Sequence, residues 1–253
     1  MNILLAEDNP VNQLLATRIL EKLGHTVQVV NNGKAAFERA VSESFDLIVM
    51  DVQMPEMDGL EATAAIREAE ASTGKHVPIL AMTAHALKGD RERCLNAGMD
   101  GYVSKPIRVE ELKKALAEIE HTAIPAVSSA GSDLPSLDAI GSLESLLDGV
   151  MGDRALLAEM AELWLKDSEV QMSQIRLGIE KADCLVIQRA AHALKGSVGT
   201  FQAAAAFQAA KELETVAKTG NLEAAKQLFA TLALHIEDVR RALRALAKEL
   251  AKS

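Results

Sequence analysis

FDLIVMD, residues 45–51, is an apolar run broken only by Asp46, and it ends on a carboxylate, Asp51. The run is too short for a helix, and it reads as a strand buried in a core. Four other short runs resemble it: ILLA (3–6), TVQVV (26–30), VPILAM (77–82) and GYVS (101–104). Helical spacing fills the intervals; Leu14, Leu15, Ile19 and Leu23, for example, share one face. Asn9 is suited to cap that helix, with Pro10 in its first turn and Gly24 at its end. Strands alternating with helices predict βαβ units, hence an α/β domain with a central parallel sheet covered on both faces.

In such sheets, sites form at the carboxyl edge of the strands. Glu7, Asp8, Asp51, Thr83 and Lys105 each fall after a predicted strand, at that edge. Three carboxylates gathered there repel one another unless a cation lies between them. The all-oxygen set Glu7, Asp8 and Asp51 suits Mg²⁺, which keeps waters and shares ligands with phosphate. Lys105 can pair with Asp51 or with a phosphoryl oxygen, and the Thr83 hydroxyl can serve another. A carboxylate nucleophile, a metal, a cation and oriented donors are the parts of phosphoryl transfer.

From about 137 onward the strand pattern stops. Helices are expected near 136–148, 153–180, 183–199, 202–219 and 221–251, with Asp183, Thr200 and Asn221 near starts and Gly220 at a stop. Four long amphipathic helices with short loops predict an all-α antiparallel bundle. The stretch 121–136, HTAIPAVSSAGSDLPS, has no sustained period and reads as a flexible linker. The expected domains are therefore 1–120, the linker 121–136, and 137–253. A linker of that length spans ~20–25 Å, so exchange between Asp51 and His192 within one chain is expected to be inefficient.

On a helical wheel for 183–199, Ile187, Ala190, Ala191, Leu194 and Val198 form the core face. Gln188, His192, Lys195, Gly196 and Gly199 fall on the other side and are expected to face solvent. His192 would then be an open imidazole, with Lys195 one turn away to offset negative charge on a phosphohistidine. Gln188, Gly196 and Gly199 would form the docking face around it.

Composition narrows the classes. A net charge of −9 argues against nucleic-acid binding. Cys94 and Cys184 lack metal-ligand spacing and fit a reduced, cytoplasmic setting. MNILLAED is not a signal peptide, and the run 196–210 is too short and polar to span a bilayer. There is no G-x-x-x-x-G-K-[ST] loop and no GxGxxG, so a kinase core is not expected.

The motifs AEDN, MDVQMPEMDG, MTA and SKP, in that order, resemble the receiver domain of two-component signalling over residues 1 to about 120. HALKGSVG and the upstream LLDGVMGDRALLAEMAELWLKD resemble the histidine-phosphotransfer (HPt) domain, over about 140–250. One departure is Thr200-Phe201-Gln202, where many members carry a small polar stretch. The resemblance implies a flavodoxin-like (βα)5 fold followed by an HPt bundle, as in the carboxyl-terminal part of hybrid sensor kinases. It implies that Asp51 is phosphorylated, that Glu7 and Asp8 organise Mg²⁺, and that the Gln53 carbonyl completes the metal site. Thr83 and Tyr102 match the switch positions. The implied partners are a sensor histidine kinase as phosphodonor and a downstream response regulator as acceptor. The chain would be a phosphoryl carrier rather than an enzyme in the usual sense. The alternatives are a regulatory module or phosphate sink, and an aspartate-nucleophile phosphatase, which Gln53 disfavours because a second acid is usual there.

Overall fold

The computed structural model describes residues 1–71, 74–83, 88–120 and 139–250. The chain divides into two compact units, Met1–Gly131 and Ser132–Ser253. The expected linker over 121–136 lies outside the described residues.

The first unit holds a five-stranded sheet of β1 (Asn2–Ala6), β2 (Thr26–Val30), β3 (Leu47–Asp51), β4 (Ile79–Thr83) and β5 (Gly101–Ser104). All pairings are parallel, in the order β2-β1-β3-β4-β5. Its helices are α1 (Pro10–Lys22), α2 (Gly33–Ser42), α3 (Gly59–Ala71), α4 (Lys88–Asn96) and α5 (Val109–Glu120). Every residue of β3 and β4 is buried, as expected for central strands covered on both faces.

Two strands begin later than their apolar runs. Asp46 turns its carboxylate to the Asn2 N–H at 2.6 Å instead of joining β3. Pro78 has no N–H to give, and the Val77 N–H donates to Glu70 Oε1, so β4 starts at Ile79. Both strands also run one residue further than expected, so Asp51 and Thr83 are the last residues of the sheet itself.

Asn9 caps α1, its Oδ1 accepting from the Val11 and Asn12 N–H groups at 3.0 and 3.2 Å. Gly59 brings α3 against the end of β3. A Cβ there would stand 2.1 Å from the Asp51 carbonyl oxygen, so only glycine allows the approach.

The second unit is helical: α6 (Leu143–Gly149), α7 (Arg154–Lys181), α8 (Cys184–Thr200), α9 (Ala204–Lys218) and α10 (Leu222–Leu250). The last four pack in a closed ring, each touching its two neighbours, which is a four-helix bundle. Asp183 caps α8 and Asn221 accepts from the Ala224 N–H, both as expected. Thr200 does not open a helix. It is the last residue of α8, and α9 starts after Ala203 without a side-chain cap.

Among the described residues no helix is long and apolar enough to cross a membrane.

Candidate functional site

The sheet's carboxyl edge gathers the residues that the strand pattern placed there. Glu7 follows β1, Asp51 ends β3, Thr83 ends β4 and Lys105 follows β5. Lys105 Nζ lies 2.6 Å from both Asp51 Oδ2 and Glu7 Oε2, and all three side chains are almost fully buried. Asp51 Oδ1 accepts from the Gln53 N–H at 3.2 Å. With Asp8, which is half-buried, the acidic group is compact: one oxygen each from Glu7, Asp8 and Asp51 lies within 4.8 Å of the others.

Three carboxylates face one ammonium, an excess of negative charge in a buried place. Burial pushes the Asp51 carboxyl up to about 7 against the pull of Lys105, and the Glu7 and Asp8 charges add to the rise. Burial also works against the Lys105 ammonium, but the charges of Asp51 and Glu7 outweigh it and hold lysine's pKa above its ordinary value. An all-oxygen donor set with surplus negative charge fits a hard divalent cation.

Thr83 is buried at the edge of this cluster. Tyr102, on β5, is half-buried against the core, with the Arg91 guanidinium 5.9 Å from its ring centroid. Ala84 of the MTA motif lies outside the described residues.

The second cluster is in the bundle. His192 sits on α8 with its side chain only 17% exposed, and its Nδ1 lies 3.1 Å from Glu214 Oε1 on α9. Lys218 Nζ reaches the same oxygen at 2.8 Å, and Lys195 Nζ holds Oε2 at 2.6 Å. A carboxylate can only accept, so the bond places a proton on Nδ1, and in the neutral ring the lone pair is then on Nε2. Burial alone would raise the Glu214 carboxyl, but hydrogen bonds from His192, Lys195 and Lys218 prevail and hold it well below the ordinary carboxylate range. Burial lowers the Lys195 ammonium, and its bond to Glu214 offsets that only in part.

This corrects the wheel. Lys195 is not a solvent-facing cation beside His192; it is 1% exposed and faces Glu214. His192 itself is half-buried, as are Gln188, Gly196 and Gly199. The reason is that α8 packs against both α7 and α9, so two of its faces are covered where a wheel assumes one. Ser197 is buried too, accepting from Trp164 Nε1 at 3.1 Å.

The unusual run after α8 also has a structural explanation. Phe201 turns fully inward and meets Trp164 edge-on, with ring centroids 6.1 Å apart. Gln202 takes a positive φ of 56° and bonds to Ser145 of α6.

Sequence reasoning missed Glu214, Lys218 and Asn12. Glu214 had a signal: it lies on the buried stripe of α9 formed by Ala206, Ala210, Leu213 and Ala217, where a carboxylate needs partners.

Residues 3–117 match the family model of the response regulator receiver domain, and residues 159–242 match that of the Hpt domain. The sensor protein GacS of Pseudomonas syringae pv. syringae is 34% identical over 221 residues, covering 83% of this chain and 24% of that protein. Hybrid signal transduction histidine kinase I of Dictyostelium discoideum is 46% identical over 127 residues, 48% of this chain and 7% of that protein. Among solved structures, the receiver domain of a sensor histidine kinase from Pseudomonas aeruginosa PAO1 is 45% identical. It covers 48% of this chain and 98% of that one, with a TM-score of 0.44. The chain spans 7% to 24% of the length of such curated relatives.

Proposed function

Since the chain belongs to the two-component phosphorelay proteins, with a receiver domain followed by an Hpt domain, we propose that Asp51 and His192 are its two phosphoryl carriers. Asp51 takes the phosphoryl group from the phosphohistidine of a sensor histidine kinase, and His192 exchanges one with the aspartate of a receiver, such as a downstream response regulator. These exchanges belong to the cytoplasm, where such partners present their phosphorylated side chains.

At Asp51, a carboxylate oxygen attacks phosphorus, the P–N bond of the donor breaks, and the donor imidazole leaves with the electron pair. Lys105, already within 2.6 Å of Asp51, stays beside the new acyl phosphate. Glu7, Asp8, Asp51 and the Gln53 carbonyl would hold Mg²⁺, which offsets the charge on the phosphoryl oxygens when bound. The Thr83 hydroxyl meets a phosphoryl oxygen, and its inward movement opens room for Tyr102 to turn.

At His192, the Nε2 lone pair attacks the phosphorus of an aspartyl phosphate and the carboxylate leaves with the P–O electron pair. The ring then carries both the phosphoryl group and the Nδ1 proton, so it is cationic. Glu214 stabilises that charge and releases nothing, so the reverse transfer returns a neutral imidazole without an outside proton. Gln188, Gly196 and Gly199 flank the histidine where a receiver docks.

The observation that carries this reading is the Nδ1 hydrogen bond of His192 to Glu214, which leaves Nε2 as the reactive nitrogen. The test is incubation of the chain with a radiolabelled phosphorylated kinase, followed by addition of a second receiver. Label should appear on Asp51 and on His192 and then chase to the added receiver. Label confined to Asp51, with none on His192 under any order of addition, would sink the relay and leave a receiver whose phosphorylation only tunes docking.

A further inference from the structure

Glu7 is fully buried, and its two carboxylate oxygens have different surroundings. Oε2 faces Lys105 at 2.6 Å. Oε1 points to the start of α1, where it accepts from the Asn9 N–H at 3.2 Å and from Asn12 Nδ2 at 3.1 Å. A carboxylate oxygen has two lone-pair directions, and these two donors fill both. Asn12 is itself buried, in the first turn of α1, and the Asn9 cap that precedes it fixes the backbone there. The amide therefore clamps one side of Glu7, while Oε2 is on the side of Lys105 and Asp51.

We propose that Asn12 is a selectivity-determining positioning residue, which confines Glu7 to a single oxygen facing the acidic cluster and so favours Mg²⁺ over Ca²⁺. This rests on the reading of Glu7, Asp8 and Asp51 as a divalent-cation site. Ca²⁺ takes six to eight oxygens and readily uses both oxygens of one carboxylate, whereas Mg²⁺ needs fewer protein oxygens and keeps its waters. Asp51 is restrained in the same sense, since the Gln53 N–H holds its Oδ1. Glu7 Oε1 and Asp51 Oδ1 accept from neutral N–H donors and the other oxygen of each faces Lys105, so the cluster is poor in oxygens for a large ion and adequate for a small one. Loss of the Asn12 amide leaves Glu7 Oε1 held by the Asn9 N–H alone, so that it can swing toward the cluster and become a second ligand atom.

The test is calorimetric titration of the full chain, without phosphodonor, with Mg²⁺ and separately with Ca²⁺, on the unsubstituted protein, Asn12→Ala, Asn12→Ser, Asn12→Gln and Asp51→Asn. The unsubstituted chain is expected to prefer Mg²⁺, and Asp51→Asn to weaken both ions. Asn12→Ala and Asn12→Ser each lower the ratio of the Ca²⁺ to the Mg²⁺ dissociation constant, by roughly tenfold for one hydrogen bond to a charged group. Asn12→Gln, which keeps an amide, recovers part of the preference. Two small substitutions guard against one that fails to fold. If both ions weaken alike, or the ratio stays where it was, Asn12 is only a structural brace and the inference fails. If the unsubstituted chain binds no Mg²⁺, the reading of the acidic cluster fails, and this inference with it.

Discussion

Glu214 Oε1 stands 3.1 Å from His192 Nδ1, across the contact between α9 and α8, and its other oxygen is locked to Lys195 at 2.6 Å. The carboxylate is thus anchored from behind by a buried lysine while it holds the histidine ring in front. The ring is thus oriented by a neighbour on the next helix.

Replacing Glu214 by alanine should slow phosphotransfer to and from His192 by roughly tenfold or more, the worth of one hydrogen bond to a charged group. Nitrogen NMR of the ring should lose its preference for the Nδ1–H form in the same variant. An unchanged rate with a changed tautomer would separate orientation from chemistry and contradict the role given to Glu214.

Acid should weaken the bundle through the same carboxyl. Its folded pKa lies below the ordinary 4.5, so its contribution to stability is complete above about pH 4.5 and fades as the pH falls below it. Trp164 is the chain's one tryptophan and is buried in the bundle, so its fluorescence in urea titrations reports this unit. Below pH 4.5 the Glu214→Gln variant should lose less stability than the unsubstituted chain.

Lys195 and Lys218 grip the same carboxylate but should differ sharply in cost. Lys195 is 1% exposed, and Lys195→Met leaves Glu214 with less compensation in a buried site, a loss of about 3 kcal/mol. Lys218 is 44% exposed, and Lys218→Met should cost under about 1 kcal/mol. The midpoint of the Trp164-monitored urea transition distinguishes them, and equal losses would contradict the difference in burial.

Gly59→Ala should destabilise the receiver unit by about 2–3 kcal/mol, because a Cβ would stand 2.1 Å from the Asp51 carbonyl oxygen. It should also slow phosphorylation of Asp51, since the backbone that carries the nucleophile must move. Thermal melting by circular dichroism gives the first effect and labelling from a phosphorylated kinase the second. A normal melt would mean that α3 shifts away from β3 at little cost.

Much of the first site was legible because each of its parts is local. The runs ILLA, FDLIVM, VPILAM and GYVS announce strands one at a time, and in a parallel sheet every strand ends on the same edge. Glu7, Asp51, Thr83 and Lys105 therefore converge without any knowledge of contacts. Strand limits were less legible: Asp46 and Pro78 look like strand residues until Asn2 and the missing N–H are considered. Asn12 was missed, since nothing in the run EDNPVN says which way its amide points.

The second site was legible as to its histidine and not as to its surroundings. A wheel assigns one apolar face, and it put Lys195 with His192 in solvent. In the bundle α8 has neighbours on two sides, so Lys195 became a buried counter-ion instead. Glu214 lies 22 residues from His192 and on another helix, a separation that helical periodicity cannot bridge.

By itself the sequence determined which segments are strands or helices, and that Asp51 ends a strand beside Glu7 and Asp8, because hydrophobic period and strand direction are properties of short stretches. Only the tertiary structure decided the partners: Lys105 with Asp51 and Glu7, Asn12 with Glu7, and Glu214 with His192, Lys195 and Lys218. A buried charge or polar group takes whichever complementary atom the packing of separate elements brings within about 3 Å, and that packing is a property of the whole fold.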